Sequence, residues 1–118
     1  MNLAGALEPL TQLSGFVAAV VFTQDGLPVE QVGSRFAAEE LAAELAGLAE
    51  ASRQTFGSLT LGDVRQFSLS LTAHDVTVLM LPGYLLGLVF ERGSGSFILA
   101  PSLERAIQPL RGALGGRR

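Results

Sequence analysis

The chain has 118 residues, 48% of them hydrophobic and 16% charged, with a formal net charge of −3. It holds no Cys, no Trp and no Lys; its eight cationic side chains are all Arg, and His74 is the one imidazole. These absences exclude a lysine Schiff base or Walker-type phosphate lysine, a thiol nucleophile, a thiolate zinc site, a disulfide framework and a cluster of imidazole metal ligands.

The length fits a single domain over 1–118, since domains commonly run about 100–150 residues. A charged fraction of 16% falls below the roughly 25% of typical globular chains. Some apolar surface therefore asks for cover from a second copy or a protein partner. The negative net charge speaks against nucleic acid, whose binding rests on clustered Lys and Arg. The longest apolar stretch, Val76–Phe90, is cut by Pro82-Gly83 and falls short of the about 20 residues of a membrane span. The first basic residue is Arg35, so no positive signal-peptide region leads the chain. These features predict a cytoplasmic protein without membrane insertion.

Leu3, Leu7, Leu10 and Leu13 fall at helical spacing, which predicts an amphipathic first helix. Pro9 either interrupts it or stands at the first position of a helix that begins near Glu8. Phe16–Phe22 is apolar on both faces and reads as a covered strand. Asp25-Gly26 then marks a hairpin, and Pro28–Val32 is a short return strand with its proline at an edge.

Ala38–Phe56 is the clearest helix. Leu41, Leu45, Leu48, Ser52 and Phe56 line one face; Ala38, Ala42, Ala46 and Ala49 form a stripe beside it that ends at Arg53. The Leu face is expected on the sheet, and the flat Ala stripe is expected to admit a second helix. Val64–Thr72 alternates apolar and polar residues, which predicts a strand with one covered face, nearer an edge. His74-Asp75 is read as the next turn. Val76–Leu81 and Leu85–Phe90 are two central strands joined by Pro82-Gly83-Tyr84. Gly93-Ser94-Gly95-Ser96 reads as a loop. Leu99, Leu103, Ile107, Leu110 and Leu114 stripe a last helix that Pro109 bends and Gly115-Gly116 ends. The order is α-β-β-α-β-β-β-α, an α+β fold with an antiparallel sheet, one helix on one face and two on the other.

The succession LSGFVAAVVFTQDGLPV, EELAAELAGLAEASRQTFG and VRQFSLSL…VTVLMLPGYLLGLVF, closed by an amphipathic helix, resembles the roadblock/dynein light chain family in its bacterial, MglB-like branch. The likeness runs from about Leu7 to Leu114 and places Asp25-Gly26-Leu27 at the family's turn. It implies a longin- and profilin-like sheet of order 2-1-5-4-3. It also implies a homodimer in which the middle helix and third strand meet their counterparts. The dimer seam would hold Ala38, Ala42, Ala46, Ala49, Arg53, Arg65, Phe67, Leu69 and Ser70. The helix N-cap that the family fills with Asp or Ser reads Phe36-Ala37-Ala38 here, so it is absent or supplied by Ser34.

No candidate catalytic set emerges. His74 and Asp75 with Ser68 or Ser70 would suit acid–base chemistry, yet neighbours at a hairpin tip point apart. The Gly93–Ser96 loop lacks the lysine and full glycine pattern of a phosphate cradle. Glu39, Glu40, Glu44 and Glu50 read either as a partner-facing acidic patch or as a solvated helix face. Arg53 or Arg65 would serve as an arginine finger or, more simply, as a structural ion pair at the seam. No metal or cofactor is expected.

Three functions are compatible with these features. The first is a non-catalytic homodimer that binds a small Ras-like, MglA-type GTPase and modulates its GTP hydrolysis. The second is a scaffold that recruits proteins without affecting nucleotide turnover. The third, a small-molecule sensor, requires a concave pocket with converging polar groups.

Overall fold

The computed structural model of the chain describes residues 3–33, 36–94 and 101–115. Helix α1 (Leu3–Leu7) runs into a 3₁₀ turn over Glu8–Gln12, with Pro9 in its opening positions. Both readings of the first leucine series are thus half met. The spacing is helical up to Leu7, and the proline, which cannot donate to the preceding turn, converts the next turn to the tighter form. Strands β1 (Phe16–Phe22) and β2 (Pro28–Gly33) make the first hairpin. Helix α2 covers Ala38–Gly57. Strands β3 (Gln66–Ser70), β4 (His74–Leu81) and β5 (Tyr84–Glu91) come next, and α3 (Pro101–Gly115) closes the chain. Leu99, Gly116 and Ser34 lie outside the described residues.

The five strands form one antiparallel sheet in the order β2-β1-β5-β4-β3. The three strands that are apolar on both sides, β1, β5 and β4, occupy the centre, because only there are both faces covered. On one face α2 lies over Ala18, Val20, Phe22, Val76, Val78 and Val89. On the other, α1 and α3 cover Ala19, Val21, Leu79, Leu86, Leu88 and Phe90. In α3 the buried side chains are Leu103, Ala106, Ile107 and Leu110.

Two strands differ from expectation at one hairpin. β3 spans Gln66–Ser70 rather than Val64–Thr72, and β4 begins at His74, so His74-Asp75 is strand and not turn. The Leu71 amide donates to the His74 carbonyl at 3.0 Å, which moves the reversal to residues 71–74. Asp75 then pairs with Phe90 on β5 and is fully buried.

The orientation of α2 reverses a second expectation. Ala42, Ala46 and Ala49 of the Ala stripe lie buried against the sheet beside Leu45, while Leu48 and Phe56 of the Leu face are 39% and 45% exposed. Size complementarity explains the reversal. Beneath α2 the sheet presents bulky Val, Leu and Phe side chains, so small helix residues let the backbones approach. The one large buried helix residue, Leu45, sits over the glycine of β5. A Cβ added at Gly87 would stand 2.6 Å from Leu45 Cδ1.

The β1–β2 turn is docked beneath the same helix. Gly26 adopts φ +91°, donates its amide to the Thr23 carbonyl at 2.9 Å, and would carry a Cβ only 3.0 Å from Ala43 Cα. Glycine alone satisfies both the positive φ and the close approach.

Candidate subunit interface

The burial of α2 leaves an uncovered apolar flank. Leu41 and Ser52 are half-buried, Leu48 and Phe56 are exposed, and at about 100° per residue Leu41, Leu48 and Ser52 follow one edge of the helix. Beyond Gly57 the chain adds two more exposed leucines, Leu59 at 53% and Leu61 at 74%. It returns as β3, a strand with a neighbour on one side only. Phe67 and Leu69 pair with Val78 and Val76, so they point to the α2 face. A cleft of about 540 Å³ opens between the end of α2 and the start of β3; Phe56, Leu61, Val64 and Phe67 line it together with Ser52, Asp63, Arg65 and Gln66. Helix flank, cleft and strand edge therefore form one continuous surface.

Among the residues expected at a seam, Arg65, Phe67, Leu69 and Ser70 lie on this surface: Phe67 and Leu69 are half-buried, Ser70 and Arg65 exposed. Ala38 is half-buried against the α2-side core. Ala42, Ala46 and Ala49 are covered by the subunit's own sheet, so the Ala stripe has no face left for a second helix. Arg53 lies on the other flank of α2, where it pairs with Glu50 at 2.9 Å, near Gln24 and Tyr84. Exposed apolar residues of this surface that the expected seam did not include are Leu48, Phe56, Leu59 and Leu61. Their sequence signal was the Leu series itself, which continues past the helix end at Leu59 and Leu61.

The four glutamates are all exposed but do not form one patch. Glu40 and Glu44 stand one turn apart next to Leu48. Glu39 and Glu50 fall on the opposite flank, and the Glu50 carboxylate also accepts from Gln54 Nε2 at 3.1 Å. Helix α2 has no side-chain cap at Ala37; Glu39 and Glu40 in its first turn complement the positive end of the helix dipole instead.

The sheet separates His74 from Asp75. The His74 ring meets Phe36 edge-on at 5.4 Å on the α2 side. Asp75 points to the α3 side, where its Oδ2 accepts the Gly93 amide at 3.1 Å. On that side the Ser68 and Thr77 hydroxyls bond across the strands at 3.0 Å. These groups cannot converge on one reacting atom. Gly93 and Ser94 turn back on β5 through the Ser94 amide and the Glu91 carbonyl, while Gly95 and Ser96 lie outside the described residues. No group of three metal-ligating side chains gathers among the described residues. No helix among them is long and apolar enough to cross a membrane.

A family model described as Roadblock/LC7 domain matches residues 5–89. The chain belongs to the Roadblock/LC7 domain family. Solved structures agree with this roadblock fold. The gliding protein MglB from Thermus thermophilus superposes with a TM-score of 0.80 at 20% identity, over 98% of this chain and 90% of that one. An MglB with a tetrameric arrangement gives a TM-score of 0.80 at 18% identity, over 96% and 88%. A Roadblock/LC7 domain from Streptomyces avermitilis gives 0.74 at 22% identity, over 92% and 90%. No curated protein matches the sequence. In this roadblock chain the face of α2 left uncovered, unlike the sheet order, depends on how α2 is rotated.

Proposed function

We propose that this roadblock chain is a cytoplasmic homodimer, without catalysis of its own, that binds a small Ras-like GTPase of the MglA type and modulates its GTP hydrolysis. The observation that carries the dimer is the open flank of α2, with Leu48 39% and Phe56 45% exposed beside the edge strand β3. A symmetric partner would cover both at once, the helix flank by a second α2 and the strand edge by a second β3. The GTPase is the kind of partner that the likeness to MglB implies. Glu40 and Glu44, which stand beside the flank and clear of the core, are offered as its contacts.

Sedimentation at low micromolar concentration tests the dimer. The wild-type chain is expected to sediment as a dimer. Leu48→Glu is expected to raise its dissociation constant at least about tenfold, the equivalent of about 1.4 kcal/mol. Position 48 faces solvent in the single subunit, so the substitution keeps the fold. A Leu48→Glu protein that stays as tightly dimeric as wild type places the seam elsewhere.

Adding the dimer to a purified MglA-type GTPase is expected to change its GTP turnover several-fold, and Glu40→Lys with Glu44→Lys to weaken binding. Binding that ignores the bound nucleotide and leaves turnover unchanged would support the scaffold reading instead. Absence of binding in both nucleotide states sinks the GTPase reading. The sensor reading has less support. The cleft of about 540 Å³ is wide open to solvent, whereas a ligand site encloses most of its ligand, and its lining mixes Ser52, Asp63, Arg65 and Gln66 with Phe56, Leu61, Val64 and Phe67.

A further inference from the structure

The backbone of β3 restricts how two copies can join. The Arg65 carbonyl accepts from the Met80 amide, and the Leu71 amide donates to the His74 carbonyl, both at 3.0 Å. Odd-numbered positions thus turn their backbone toward β4, and even-numbered positions such as Gln66 and Ser70 turn theirs outward. In a seam with both α2 helices on the same face, odd positions must face odd ones across the two-fold axis. Among such registers, the one centred on position 68 pairs all of Gln66–Ser70. It sets Gln66 opposite Ser70 and Phe67 opposite Leu69, and it carries position 71 opposite position 65. Leu71 is 49% exposed and belongs to the odd series. Arg65 itself lines the cleft beside Phe56, Leu61, Val64 and Phe67.

We propose that Leu71 of each subunit seats in this cleft of a second copy, and that the two reciprocal insertions set the register of the β3–β3 seam. The inference rests on the dimer reading above and adds to it a defined contact. The occupant matches part of the site: an apolar side chain meets Phe56, Leu61, Val64 and Phe67, in a cleft whose lining also holds Asp63 and Arg65. The insertions also cover Phe56 and Leu61 at the two ends of the interface, where the strands alone would leave them in water.

The chain contains no Cys, so an engineered pair reports the contact without background. Positions 65 and 71 of one subunit lie six residues apart along an extended strand, about 20 Å, too far for a disulfide, whose Cα atoms stand about 4.4–6.8 Å apart. Across the seam they form a non-hydrogen-bonded pair with Cα atoms about 4.5 Å apart. The Arg65→Cys, Leu71→Cys double variant is expected to become a covalent dimer under mild oxidation, and neither single variant is. Leu71→Asp is expected to weaken the dimer at least tenfold in sedimentation while leaving the urea midpoint of the dissociated subunit unchanged. If wild type is a dimer but the 65/71 pair does not link, or a Phe67→Cys, Leu71→Cys pair links in its place, the proposed register is wrong and the dimer stands. If wild type sediments as a monomer, the dimer reading fails first.

Discussion

Asp75 buries a carboxylate completely, and one of its oxygens, Oδ2, accepts the Gly93 amide. Oδ1 is buried without a partner among the described residues. A charge taken out of water with half its acceptors unused carries a cost. Asp75→Asn removes the charge and keeps an acceptor for Gly93 but puts amide N–H donors where Oδ1 has no partner, so it is expected to change the free energy of unfolding by less than about 1 kcal/mol. Urea unfolding at neutral pH measures this, and a larger loss would mean that the carboxylate has a stabilising contact. Gly26 makes the opposite case. With φ +91° and Ala43 Cα 3.0 Å from where an added Cβ would stand, Gly26→Ala is expected to cost about 1–3 kcal/mol. Asp25-Gly26 announced its turn in the sequence, because few residues tolerate that backbone. Nothing near Asp75 announced its burial. A His-Asp pair reads as a turn until the pairing of β4 with β5 draws it into the sheet.

Among the elements, α2 shows how packing chooses between two legible faces. Leu and Ala stripes both stood in the sequence, and hydrophobicity favours the Leu stripe for the core. The sheet decides otherwise, because its α2 side is already filled by Val20, Phe22, Val78 and Val89, and its one gap, at Gly87, admits Leu45. Ala46 is 7% exposed and Leu48 39%. Ala46→Leu is therefore expected to push α2 off the sheet and cost about 1–3 kcal/mol. Leu48→Ala is expected to change the unfolding of the dissociated subunit by less than about 1 kcal/mol while weakening the dimer. Chemical denaturation of both variants below the dimer dissociation constant separates the two faces. Equal losses would mean that both residues belong to the subunit core.

Across the subunit as a body, low charge and an exposed apolar flank have one consequence in common. In the proposed dimer, cover from a second copy adds free energy that depends on concentration. The melting temperature of the wild-type chain is expected to rise by several degrees between low and high micromolar concentration, and that of Leu48→Glu to stay constant, as differential scanning calorimetry can follow. A concentration-independent wild-type melt would indicate a subunit that is complete alone.

Linear pattern alone was enough for the order of elements, the antiparallel sheet with β1, β5 and β4 at its centre, and the Asp25-Gly26 turn. Each of these depends on local periodicity and on residues with narrow backbone preferences, which a chain displays openly. The rotation of α2, the start of β4 at His74, the burial of Asp75 and the cleft beside Phe56 emerged only from the packed molecule. Those depend on the shapes of side chains brought together from distant segments, where a glycine on one strand makes room for a leucine on a helix. Two apolar stripes on one helix are both legible in sequence, and close packing against the sheet buries the less hydrophobic one and leaves much of the other uncovered.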